Sequence, residues 1–136
     1  MVEPIAAGLR AMIDFDEIPN KKTGADTSDC WPALGSSFPL NLFYRQFDGA
    51  EGWMGDSYFA MWSRKEINDF RGPNLEAFPS KYNFFGSAGG GTQFGFFVTD
   101  EGIQFCSAPD IGREEDIRVL GDWHAFVSSI RRNDYI

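Results

Sequence analysis

The sequence predicts an α+β fold, and three observations carry that reading. Apolar residues recur at helical spacing in two separate stretches, short aromatic-rich segments are grouped between them, and strands and helices do not alternate as a parallel fold would require. In chain order, Ile5 to Ile13 is compatible with a short first helix, and Asp14 to Trp31 reads as a loop broken by Pro19, Asn20 and Gly24. Ser36 or Ser37 can cap the next helix and Pro39 suits its first turn. Leu40, Phe43, Tyr44 and Phe47 then fall at i, i+3, i+4 and i+7, and Asp48 and Gly49 stop the run.

Ser57 to Trp62 is short and aromatic, which predicts a strand. Ser63 with Glu66 forms a capping-box pattern, and Ile67 and Phe70 line a short helix ended by Gly72 and Pro73. Tyr82 to Phe85, Phe94 to Val98, Ile103 to Cys106 and Ile117 to Leu120 read as strands, with Ser87 to Gly91 and Asp100 to Gly102 as turns. Asp122 can cap a last helix in which Trp123, Phe126, Val127 and Ile130 repeat the helical spacing, with Arg131 and Arg132 at its C-terminal end.

The 136 residues, 43% of them hydrophobic, support one core and read as a single domain over 1–136. The 14 Phe, four Trp and four Tyr must mostly be interior, so any ring left outside becomes a binding candidate. The net charge of −8, from 20 acidic and 12 basic side chains, repels a phosphate backbone and attracts cationic partners. Direct nucleic-acid binding is therefore not expected; the plainer meaning of the charge is solubility. Met1 to Met12 is interrupted by Glu3, Pro4 and Arg10 and does not read as a secretory signal, and no apolar run approaches the roughly 20 residues that span a bilayer. Cys30 and Cys106 form no metal-ligand spacing and fit a reduced, cytoplasmic protein, although the sequence leaves a disulfide between them open.

No catalytic constellation emerges, and neither a cofactor nor a metal is expected. His124, the sole histidine, sits beside Trp123 in the last helix and reads as a solvent-facing or partly covered helical residue. Gly89, Gly90 and Gly91 lack the Lys-Ser/Thr of a phosphate loop and read as a turn between strands. Glu114, Glu115 and Asp116 read as a solvated edge. The most informative segment is Phe47 to Asp56, FDGAEGWMGD, which reads as a tight glycine-shaped loop carrying Asp48, Glu51, Asp56 and the indole of Trp53. Its functional reading is a rigid acidic surface with an aromatic anchor for a basic partner. Its structural reading has Trp53 closing the core edge while the acids bond backbone N–H groups.

The order of these features resembles the Smi/Knr family of the SUKH superfamily. The features are the Pro39 helix, FDGAEGW, the strand ending in Met61 and Trp62, the Glu66–Ile67 helix, Phe85–Gly86, the turn and strand Gly89 to Phe96, Leu120–Gly121 and the Phe126 helix. The resemblance covers roughly residues 36–131, leaving Met1 to Gly35 outside the pattern. It implies a central, largely antiparallel sheet, of about 5–6 strands here, flanked by helices. It also implies a non-enzymatic role: bacterial members are immunity proteins that bind and neutralise toxins, many of them nucleases or deaminases, and fungal members regulate cell-wall synthesis and signalling. The expectation is an immunity protein holding a cationic toxin through Asp48, Glu51, Trp53 and Asp56, with support from Trp62. The alternatives are a cytoplasmic regulatory or scaffold module and a small-molecule-binding domain with a cleft lined by Phe rings.

Overall fold

Among the described residues seven strands run antiparallel in simple sequence order, β1 (Lys21–Thr23), β2 (Phe47–Met54), β3 (Ser57–Met61), β4 (Asn83–Ala88), β5 (Thr92–Thr99), β6 (Gly102–Pro109) and β7 (Arg118–Gly121). The computed structural model describes residues 18–71, 78–88, 91–110 and 112–136. Among them are three α-helices, α1 (Pro39–Gln46), α2 (Arg64–Arg71) and α3 (Trp123–Arg131). The fold is α+β, as expected, but the sheet has seven strands instead of 5–6. The additional two are β1 and β2, which the sequence reading assigned to loops. The expected helix at Ile5 to Ile13, the Gly72–Pro73 stop and the residues Gly89 and Gly90 lie outside the described residues.

Local chemistry explains the helix ends. In α1 Pro39 opens the first turn, and the helix stops at Gln46, one residue before Phe47 enters β2 in extended conformation. The capping box of α2 is formed as read: Ser63 N–H donates to Glu66 Oε1 at 3.0 Å, and Glu66 N–H donates to Ser63 Oγ at 3.2 Å. Asp122 Oδ1 accepts from Ala125 N–H at 2.9 Å to open α3. His124, the next residue after Trp123, is exposed.

One face of the sheet carries the main core. Leu40, Phe43 and Tyr44 of α1 and Trp123, Phe126, Val127 and Ile130 of α3 are buried in it with Phe59, Phe85, Phe94, Phe96 and Phe105 from the strands. Rings meet edge to face, as with Phe94 and Phe126 at 5.5 Å and Phe85 and Phe105 at 6.0 Å, a geometry that adds about 0.5–1.5 kcal/mol per pair beyond area burial. A second, smaller cluster holds Phe78, Phe84 and Ala108. Helix α2 joins the two, with Ile67 in the main core and Phe70 against the second.

The strand register defines the other face residue by residue. Glu51 pairs Ala60, Ala60 pairs Ser87, Ser87 pairs Gln93 and Gln93 pairs Ala108, so these five side chains form one row across β2 to β6. Gln93 is fully buried, and among the described residues neither its amide nitrogen nor its carbonyl oxygen has a hydrogen-bond partner. An unmet buried polar group costs about 1–3 kcal/mol, so Gln93→Leu is expected to raise the unfolding midpoint by several degrees. A fall in the midpoint on thermal unfolding would show that the amide is bonded in solution.

Cys30 is half-buried, Cys106 is buried in β6, and both thiols are free. Burial pushes the Cys106 thiol up to about 12 from its ordinary 9.0, and pushes the Tyr44 hydroxyl well above its ordinary 10.0. As pH rises past 9, the unfolded chain releases the thiol proton while the folded chain keeps it, so folding loses about 1.4 kcal/mol per pH unit until the folded value is reached. Stability is therefore expected to be intact below pH 9 and to fall above it, with a shallower decline in Cys106→Ala. Thermal melts from pH 8 to 11 check this, and identical slopes for the two proteins would contradict it.

Candidate protein-binding surface

The segment read as a loop is the β2–β3 hairpin. The residues 50–54 alternate strictly, with Ala50, Gly52 and Met54 buried and Glu51 and Trp53 exposed. A two-residue turn, Gly55–Asp56, connects Met54 to Ser57, which pair directly. Glycine is required at position 55, where φ is +62° and an added Cβ would lie 2.6 Å from the Arg131 carbonyl oxygen. The neighbouring Asp56 N–H donates to that same carbonyl at 3.0 Å, fastening the hairpin tip to the end of α3. Gly52 plays the same part on the other side: a Cβ there would meet Pro19 Cγ at 2.7 Å, so only glycine lets the segment before β1 press against β2. Asn20 Nδ2 then donates to the Glu51 carbonyl at 3.1 Å. The hairpin is held at its tip and along its flank.

Its outward side chains form a connected group. Trp53 is 68% exposed, the most exposed aromatic ring among the large hydrophobics of the described residues. Tyr58, directly opposite across the ladder, meets the indole edge to face at 5.9 Å. The Tyr58 hydroxyl donates to Glu51 Oε2 at 2.9 Å, and that hydrogen bond to a carboxylate raises the hydroxyl's pKa, so Tyr58 remains a donor at neutral pH. Glu51 makes no ion pair among the described residues. Asp56 is exposed at the turn.

The five residues singled out from sequence thus divide. Glu51, Trp53 and Asp56 are exposed on or beside the hairpin. Asp48 instead turns inward along the chain: its Oδ1 accepts from Arg64 N–H at 2.8 Å and helps open α2. Trp62 is half-buried, with its ring against Phe70 at 4.8 Å and its Nε1–H donating to Ser87 Oγ at 3.3 Å. Its carbonyl accepts from Tyr44 OH at 2.6 Å. Asp48 and Trp62 are parts of the scaffold. Tyr58 was missed, although the Gly-Asp turn between alternating residues carried the signal, because it places positions 53 and 58 opposite one another.

A concavity of about 270 Å³ lies between α2 and the 26–31 segment, lined by Asp26, Asp29, Cys30 and Arg64 among others. The Arg64 guanidinium is committed there to the protein itself. Its Nη2 donates to the carbonyls of Asp26, Ser28 and Tyr44 at 3.1, 2.6 and 2.7 Å, and its Nη1 pairs with Asp26 at 3.4 Å. Arg64 ties the long segment before α1 to both α1 and α2. Among the described residues no three His, Cys, Asp or Glu side chains gather as a metal site would need, and no helix is long and apolar enough to cross a membrane.

Fold and surface together define an antiparallel meander with helices and a rigid, acid-flanked indole on an open strand face. The chain matches no protein-family model and no curated protein.

Proposed function

We propose that this chain is a non-enzymatic protein-binding domain, an immunity protein that binds and neutralises a cognate cationic toxin of the nuclease or deaminase type. The observation that carries the reading is Trp53, 68% exposed on a braced strand and flanked by Glu51 and Asp56. Aromatic anchors on rigid elements are the usual centres of protein interfaces, and an uncovered indole of this size has an unfavourable hydration cost that a partner relieves. The net charge of −8 adds long-range attraction to a Lys/Arg-rich toxin and speeds encounter. The motif order that resembles the Smi/Knr family supports the same role. A reducing cytoplasm suits the two unpaired thiols.

Co-expression with the toxin genes encoded beside its own gene tests this reading. One of those toxins should be bound in a stoichiometric complex and cease to arrest growth. If none is bound or neutralised, the immunity role is wrong, and the regulatory or scaffold role becomes the better description.

A further inference from the structure

We infer that the open face of the β2–β3 hairpin receives a single arginine side chain of the partner, its guanidinium laid against the Trp53 indole and paired with the Glu51 carboxylate. This rests on the protein-binding reading and specifies what the surface recognises. Trp53 and Glu51 are two residues apart on one strand and point to the same side, which sets them about 7 Å apart, the span of a planar cation lying between a ring and an acid. Across the ladder Ala60 lies directly opposite Glu51, and its methyl leaves the surface beside the carboxylate low, while Tyr58, opposite Trp53, reaches along β3 to Glu51 and walls that side of the slot.

The carboxylate is already oriented. Tyr58 OH holds Oε2 at 2.9 Å, so Glu51 presents its remaining acceptor capacity in a fixed direction and carries a charge that no described side chain compensates. Arginine fits these features better than lysine. Its guanidinium is flat, stacks on aromatic faces, is weakly hydrated and can donate two parallel N–H groups to one carboxylate, whereas an ammonium is a compact and strongly hydrated point charge. Asp56 at the turn adds negative potential at the same end of the hairpin, and the overall charge of −8 selects against an acidic occupant.

The probe is a capped Gly-Arg-Gly peptide titrated into the full chain at low salt, with Gly-Lys-Gly, Gly-Leu-Gly and Gly-Glu-Gly as comparisons. The indole N–H resonances of the four tryptophans report the site, because Trp31 and Trp123 are buried, Trp62 is half-buried and only Trp53 is exposed. The Trp53 resonance should move saturably with the arginine peptide, at an affinity about three- to tenfold tighter than with lysine. Glu51→Gln, a change at an exposed position, should weaken the arginine response about fivefold or more while the melting midpoint stays put. An unmoved Trp53 resonance, or equal responses to the arginine, lysine and leucine peptides, would overturn the inference. The outcomes separate it from the immunity role. A toxin neutralised by a chain that ignores the arginine peptide sinks this inference alone, and arginine binding without any bound toxin sinks the immunity role alone.

Discussion

Replacing Asn41 with leucine should destabilise the protein by about 2–6 kcal/mol, a large part of the 5–15 kcal/mol that holds a domain of this size folded. Asn41 is wholly buried in α1 and makes three hydrogen bonds to the segment before it. Its Oδ1 accepts from Trp31 N–H at 3.0 Å, and its Nδ2 donates to the carbonyls of Trp31 at 2.9 Å and Gly35 at 2.8 Å. Leucine matches the volume but takes the partner of Trp31 N–H, at about 1–3 kcal/mol, and one of two bonds from each of the Trp31 and Gly35 carbonyls, which keep Leu34 N–H and Phe38 N–H, at about 0.5–1.5 kcal/mol each. The loss also frees Trp31, whose ring lies against Phe38 at 6.1 Å and Phe96 at 5.1 Å in the main core. A midpoint lower by about 6–20 °C is expected from thermal unfolding, given a few degrees per kcal/mol at this length. A midpoint within 2 °C of the parent, a margin of about 0.5 kcal/mol, would refute the role given to Asn41.

The second large effect concerns binding. Trp53→Ala should weaken the toxin complex by about 30- to 1,000-fold, the range of a central aromatic anchor, and Glu51→Lys should add repulsion and slow association at low salt. Stability should change by no more than about 1.5 kcal/mol, because both side chains lie on the exposed side of β2 and lose only their contacts with Tyr58. Asp48→Ala, by contrast, should lower stability through the lost bond to Arg64 N–H and leave the binding surface in place. Calorimetry of the complex alongside melts of the free variants separates the two kinds of loss. Weak binding by Asp48→Ala with tight binding by Trp53→Ala would reverse the assignment of scaffold and surface.

How much of this was legible in the sequence depended on how local each signal is. The helical repeats of α1 and α3, the Ser63–Glu66 box and the Asp122 cap involve residues within one or two turns, and each was readable. The five strands read from short apolar and aromatic runs are all in the sheet, with boundaries moved by a few residues. Strand β2 was misread because its two glycines, with Gly55 of the turn beyond it, imitate a loop. Gly52 is inward-facing, where pressure from Pro19, seen only in three dimensions, excludes a side chain. Strand β1 is three residues long, Lys-Lys-Thr, and exists only because β2 offers it a partner.

The site followed the same rule. The glycines and acids of residues 47–56 correctly marked a shaped, rigid segment, yet sequence alone could not divide its acids into Asp48, committed to α2, and Glu51, facing outward. That division follows from the alternation of β2, invisible while the segment was read as a loop. Trp62 read as a supporting contact, but the Phe70 ring and the Ser87 hydroxyl that hold it come from α2 and β4. Gln93 carried no warning at all, since its burial arises from a row of residues drawn from five strands.

Hydroxyl-radical footprinting of the chain alone and in complex with the proposed toxin bears most directly on whether the β2–β3 face is the working surface. Free Trp53, 68% exposed, should react readily, and its oxidation should fall at least about fivefold in the complex, with Tyr58 protected alongside it and the exposed His124 on α3 unchanged. A complex that forms while Trp53 stays as reactive as in the free chain would place the interface elsewhere.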